Sequence, residues 1–167
     1  MYVNFIFVAI FLGYSIGSAP IVSYHYGARN SEELKNLLTK SLKMIGVWGV
    51  ALFALAQLIA SPLARIFVGY DPNLFDLTRH GFRIFCLAFL VNGFNIYGSS
   101  FFTALNNGLL SALISFLRTL VFQIASVLLL PMIFGIDGIW GAVFVAEILT
   151  LCVTIICLAK KQKVYHY

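Results

Sequence analysis

Residues 139–159 read IWGAVFVAEILTLCVTIICLA, an unbroken apolar run whose single ionisable side chain is Glu147. A run of about 20 apolar residues matches the hydrocarbon thickness of a bilayer when wound as an α-helix, so it reads as a membrane span. The composition of the rest agrees. Of the 167 residues, 61% are hydrophobic, 16% aromatic and only 10% charged, and the mean hydropathy is +0.95. Soluble domains carry about 25% charged residues, and disordered chains are poor in aromatic and apolar residues. Both classes are excluded, which leaves an all-α integral membrane protein.

Working outward from that run, four more spans emerge, over about 2–22, 44–60, 82–104 and 109–134. In the first, Pro20 predicts a kink, and Gly13 and Gly17 form a GxxxG pair suited to close helix approach. The polar stretch that follows contains an amphipathic segment, 31–43, with Asn30 as N-cap and Glu33 placed as in a capping box. Leu34, Leu37, Leu38, Leu42 and Ile45 form its apolar stripe. Ser61 and Pro62 read as the end of the second span, and 61–81 as an outer connection. Within that connection Asp71-Pro72 predicts the start of a helix leading into the third span. Asn106-Asn107-Gly108 and Gly135-Ile136-Asp137-Gly138 read as tight turns, with Asp137 capping the last helix.

The net charge is +5. In a membrane protein such a surplus collects in cytoplasmic loops facing anionic lipid, so membrane lipid, not nucleic acid, is the expected partner. Arg29, Lys35, Lys40, Lys43, Lys160, Lys161 and Lys163 fall on one side if every run crosses, against Arg65, Arg79 and Arg83 on the other. That asymmetry places the N-terminus outside and the C-terminus in the cytoplasm, as for a chain that continues further helices. Cys86, Cys152 and Cys157 lie in apolar runs without a CxxC pair and read as packing residues, with no metal site. No HExxH, GxSxG or Walker-type loop occurs, and His25, His80 and His166 are far apart. The chain is therefore not expected to be an enzyme or to hold a cofactor, and any transport must draw on an ion gradient.

The segment Ala19-Pro20-Ile21-Val22-Ser23-Tyr24-His25-Tyr26-Gly27-Ala28-Arg29-Asn30 resembles the QPIxxYNYGAxN signature of multidrug and toxic compound extrusion (MATE) transporters. Ala19 stands where the signature has glutamine and His25 where it has asparagine. Pro20, Tyr24, Tyr26 and Gly27 match. A second block, Phe101 to Gly108 with Ser115-Phe116-Leu117-Arg118, is similar in the same order, as is a third, Leu130-Pro131 with Phe134 to Trp140 and then Glu147. The resemblance implies a fold of twelve helices in two six-helix halves. This chain would supply the last five, a partial second half, with the preceding N-terminal helices as partners. It also implies a cell (inner) membrane location and export of cationic or aromatic small molecules in exchange for Na+ or H+. A lipid-linked oligosaccharide flippase of the same superfamily and a non-transporting membrane remnant are the alternatives.

Within the spans, ionisable groups are costly and usually face a cavity or a partner. Glu147 is the ion-coupling candidate, since a carboxylate can take a proton or Na+ in competition with a cationic substrate. It could equally be a structural acid paired with Arg118 or Gln123. Arg118 either snorkels to the interface or stays buried as a gate. Asn92, Asn95 and Gln123 could line a substrate cavity or tie helices together.

Overall fold

The computed structural model describes residues 2–165; His166 and the side chains of Tyr2 and Lys163 lie outside what it describes. The chain is built from α1 (Tyr2–Gly27), α2 (Ser31–Val68), α3 (Pro72–Phe85), a 3-10 turn (Cys86–Ala88), α4 (Phe89–Ala104), α5 (Gly108–Phe116), a π-turn (Leu117–Phe122), α6 (Gln123–Phe134) and α7 (Ile136–Tyr165). Among the described residues, five stretches are long and apolar enough to cross a membrane: Val3–Gly27, Ser31–Val68, Pro72–Ala104, Gly108–Phe134 and Ile136–Gln162.

The helix ends follow from local chemistry. At the end of α1, Arg29 takes φ 55°, and the amides of Arg29 and Asn30 bond back to Tyr26 O (3.1 Å) and His25 O (2.9 Å). That is a Schellman closure. Asn30 then caps α2 by accepting the Glu33 amide at 3.2 Å. The turn between α4 and α5 repeats the device. Asn106 takes φ 59°, Asn107 N bonds to Phe102 O at 2.9 Å, and the Asn107 side chain accepts the Leu110 amide at 3.1 Å. Both positions use one asparagine to close one helix and open the next. Asp71 opens α3 by accepting the amides of Asn73 (2.9 Å) and Leu74 (3.3 Å).

Several sequence expectations need correction. The segment 61–81 is helical apart from 69–71, because α2 continues through Pro62 to Val68. A transmembrane helix tolerates the lost amide when packing holds its other face. Here Gly49, Leu52, Ala56, Ala60 and Ala64 stay buried on both sides of the exposed proline. Likewise α1 runs through Pro20 to Gly27. Glu33 does not complete a capping box, since the Asn30 amide is already bonded to His25 O and Glu33 accepts from Asn36 instead. Asp137 lies inside the first turn of α7 rather than before it, and meets His80 Nε2 at 3.0 Å. Gly135, at φ 58°, makes the turn. Gly13 and Gly17 face outward, and a methyl group on either α-carbon would meet no atom within 4 Å. No close contact among the described residues therefore uses them. Of the cysteines only Cys86 is buried; Cys152 is exposed.

The centre of the bundle is α4, which packs against α1, α2, α5 and α7. Two glycines permit this. A side chain at Gly93 would collide with Phe11 and Ile45, and one at Gly98 with Thr154. Around them Phe89, Tyr97, Phe101 and Phe102 are almost completely buried. The end of α1, the start of α2 and the end of α7 border one pocket containing Arg29 and Tyr165, and the opposite end carries the His80–Asp137 pair.

A candidate substrate cleft with a paired carboxylate

A cleft of about 520 Å³ opens between the start of α1, α3, α4, the π-turn and α7. Val3, Val8, Phe82, Phe85, Trp140 and Val143 line its apolar wall, and Asn4, Asn92, Arg118, Thr119, Gln123 and Glu147 its polar wall. Trp140 lies over Gly81, and its Nε1 is buried without a hydrogen-bond partner among the described residues.

The polar wall is built by three elements. On α4, Asn92 and Asn95 stand three residues apart, one helical turn on one face. On α7, Glu147, Thr150 and Thr154 follow i, i+3 and i+7, also one face. Arg118 comes from the π-turn, whose defining bond runs from the Gln123 amide to Arg118 O. In an α-helix, residues five apart would point roughly 140° from each other at 3.6 residues per turn. The wider turn lets Arg118 and Gln123 both line the cleft, and π-turns recur at functional sites for this reason.

These side chains form one chain of bonds. Arg118 donates to Glu147 Oε1 through Nε (2.9 Å) and Nη2 (2.7 Å), and through Nη2 to Asn92 Oδ1 at 2.5 Å. Asn95 Nδ2 donates to Glu147 Oε2 at 2.7 Å and to the Glu147 carbonyl at 2.8 Å. Thr154 Oγ1 donates to Asn95 Oδ1 at 3.1 Å. The Glu147 side chain is 5% exposed and that of Arg118 25%. A charge buried so deeply is tolerable only when paired and hydrogen-bonded, and both conditions are met.

The structure thus brings together four of the five candidates within the spans, Asn92, Asn95, Arg118 and Glu147. Arg118 does not snorkel, because Glu147 and Asn92 hold it inside. Gln123 lines the cleft but does not bond to Glu147. The signature residues lie elsewhere: Tyr24 and Tyr26 are exposed at the end of α1, and the Tyr26 ring stands 5.7 Å from that of Tyr165. Sequence reasoning missed Thr154, Trp140 and the π-turn. The i, i+3, i+7 spacing from Glu147 was the available signal for Thr154; nothing local marked the other two. Among the described residues, no group of three or more His, Cys, Asp or Glu side chains is placed to hold a metal ion.

The MatE family model matches residues 1–129. Among solved structures, the chain is similar to an inward-facing multidrug resistance MATE family transporter of the MOP superfamily, with TM-score 0.91 and 18% identity over 99% of this chain and 38% of that one. It is similar to the MATE multidrug transporter DinF-BH, with TM-score 0.88 and 25% identity over 99% of this chain and 37% of that one. A third likeness is to the Vibrio cholerae MATE transporter VcmN in the bent form, with TM-score 0.87 and 17% identity over 96% and 36%. The chain therefore spans little more than a third of the length of these transporters. No curated protein matches it significantly.

Proposed function

Because the chain belongs to the MatE family, we propose that its five helices form part of a secondary active multidrug antiporter. The whole transporter exports organic cations and other xenobiotics across the cell membrane in exchange for Na+ or H+. The basic end with Arg29, Lys160 and Lys161 is cytoplasmic, in keeping with the positive-inside rule. The observation that carries the reading is the cleft: an aromatic cavity of about 520 Å³ with a polar wall at one side, within the size range of small-molecule sites.

In this reading Glu147 is a positioning residue. Both of its oxygens accept hydrogen bonds, and its work is to hold Arg118 at the cleft wall. Ion coupling then rests on carboxylates of companion helices. Alternating access needs two packed lobes that rock about a shared site, so efflux requires helices beyond these five.

Cells expressing this chain together with a polypeptide supplying the preceding helices are expected to accumulate less of a fluorescent cationic dye. Equal lowering by the 167-residue chain alone would overturn the need for companions, and no lowering by any combination would overturn transport. In the assembled transporter, Glu147→Gln is expected to keep the Na+ or H+ dependence of efflux. Loss of that dependence with dye binding intact would make Glu147 the coupling group instead.

A further inference from the structure

The charged groups of the cleft wall are unequal in what they leave open, while Asn4, Thr119 and Gln123 are neutral groups that can both donate and accept. The one carboxylate is engaged at both oxygens, Oε1 by Arg118 and Oε2 by Asn95. The Asn92 carbonyl oxygen accepts from Arg118 as well. On the donor side, Arg118 uses Nε and Nη2 only. Its Nη1, with two N–H groups, has no partner among the described residues, and neither has the Gln123 side chain, which offers a neutral donor and a neutral acceptor. Arg118 is also the more exposed member of the ion pair, 25% against 5% for Glu147. The pair is neutral from a distance, but a ligand in the cleft meets the guanidinium first. A cation there would face a like charge and would have to displace Arg118 to reach the carboxylate. An acceptor oxygen would find a charged donor already held in place by two bonds to Glu147, the arrangement that makes such bonds strong.

We propose that this cleft selects aromatic molecules by a carboxylate or sulfonate group, seated on Arg118 Nη1 with help from Gln123, while the ring lies against Phe82, Phe85 and Trp140. The inference rests on the cleft being a substrate site, as proposed above. It adds that these five helices take the acceptor-bearing end of a substrate, and that a positive centre is met elsewhere in the transporter.

The test uses the whole chain in phosphocholine nanodiscs. It contains two tryptophans; Trp48 is half exposed on α2, away from the cleft, so Trp48→Phe leaves Trp140 as the only reporter. Two probes of equal size and opposite charge, 4-bromobenzoate and 4-bromobenzylammonium, quench indole emission on contact. Saturable quenching by the benzoate is expected at a concentration about tenfold or more below that of the ammonium probe, as for a gained hydrogen bond to a charged group. Arg118→Lys keeps the charge but loses the fork, and should erase most of that preference; Gln123→Leu should weaken it a few-fold. Equal or tighter binding of the ammonium probe overturns the proposal and leaves the cleft a substrate site. Saturable quenching by neither probe overturns the cleft as a binding site and the proposal with it. The comparison of the two probes on the Trp48→Phe chain stands even if an Arg118 variant fails to fold.

Discussion

The two oxygens of Glu147 look onto two different regions. On the Oε2 side, Asn95 is fully buried and Thr154 almost so, and donors and acceptors pair off in the order Thr154, Asn95, Glu147. That side is a lock between α4 and α7. On the Oε1 side, Arg118 is anchored by Glu147 and Asn92 yet keeps a free nitrogen toward a cleft of about 520 Å³. One carboxylate thus serves as the inner end of a packed network and as the clamp on an accessible cation. The difference shows how a bilayer protein can keep a charge beside a cavity: it is saturated from behind and left partly unsatisfied in front.

The comparison breaks most readily at Arg118. Arg118→Met leaves Glu147 buried without its counter-charge and is expected to cost about 3–5 kcal/mol, read as a lowered thermal unfolding midpoint in detergent. Adding Glu147→Leu should recover most of the loss, because the uncompensated charge is then gone. A double variant as unstable as the single would mean that the bare carboxylate is not what destabilises Arg118→Met. Next comes Asn95→Leu, which deprives Oε2 of its donor and leaves the charge pair standing. About 1–2 kcal/mol is expected, and a loss matching that of Arg118→Met would erase the distinction between the two sides. Thr154→Val removes a single neutral interhelical bond and should cost about 0.6 kcal/mol, the average for such bonds in membranes. Gln123→Leu removes no side-chain bond among the described residues, so the unfolding midpoint should stay within the error of the measurement while probe binding falls.

Much of this architecture was readable from residues alone where the physics is local. Asn30 and Asp71 cap helices as their positions predict, since a cap needs only the next few amides, and Asn106-Asn107-Gly108 turns the chain as expected. Pro62 misled for the same reason. Taken alone, a proline ends a helix, but the buried face of Gly49, Leu52, Ala56, Ala60 and Ala64 extends beyond it, and tertiary packing outweighs one missing amide bond. Local sequence did not place the GxxxG pair either: Phe7, Phe11 and Ser15 form the face of α1 buried in this bundle, and Gly13 and Gly17 face away from it. At the site, the need of Glu147 and Arg118 for partners followed from the cost of a bare charge in hydrocarbon. The partners did not.

From the amino-acid order alone follow the set of membrane helices, the side-chain caps of α2 and α3 and the list of polar side chains that could not remain unpaired. Hydrophobic run length and nearest-neighbour hydrogen bonding act over a few residues and need no knowledge of the fold. Only the tertiary structure decided that Glu147 would be shared by Asn95 and Arg118, 52 and 29 residues away, and that Gln123 would stand beside them unbonded. Those distances are set by the rotation of α4 and α7 about their axes and by the one wide turn at Leu117–Phe122. Rotations of that kind are settled when whole helix faces pack together, which no short stretch of sequence specifies.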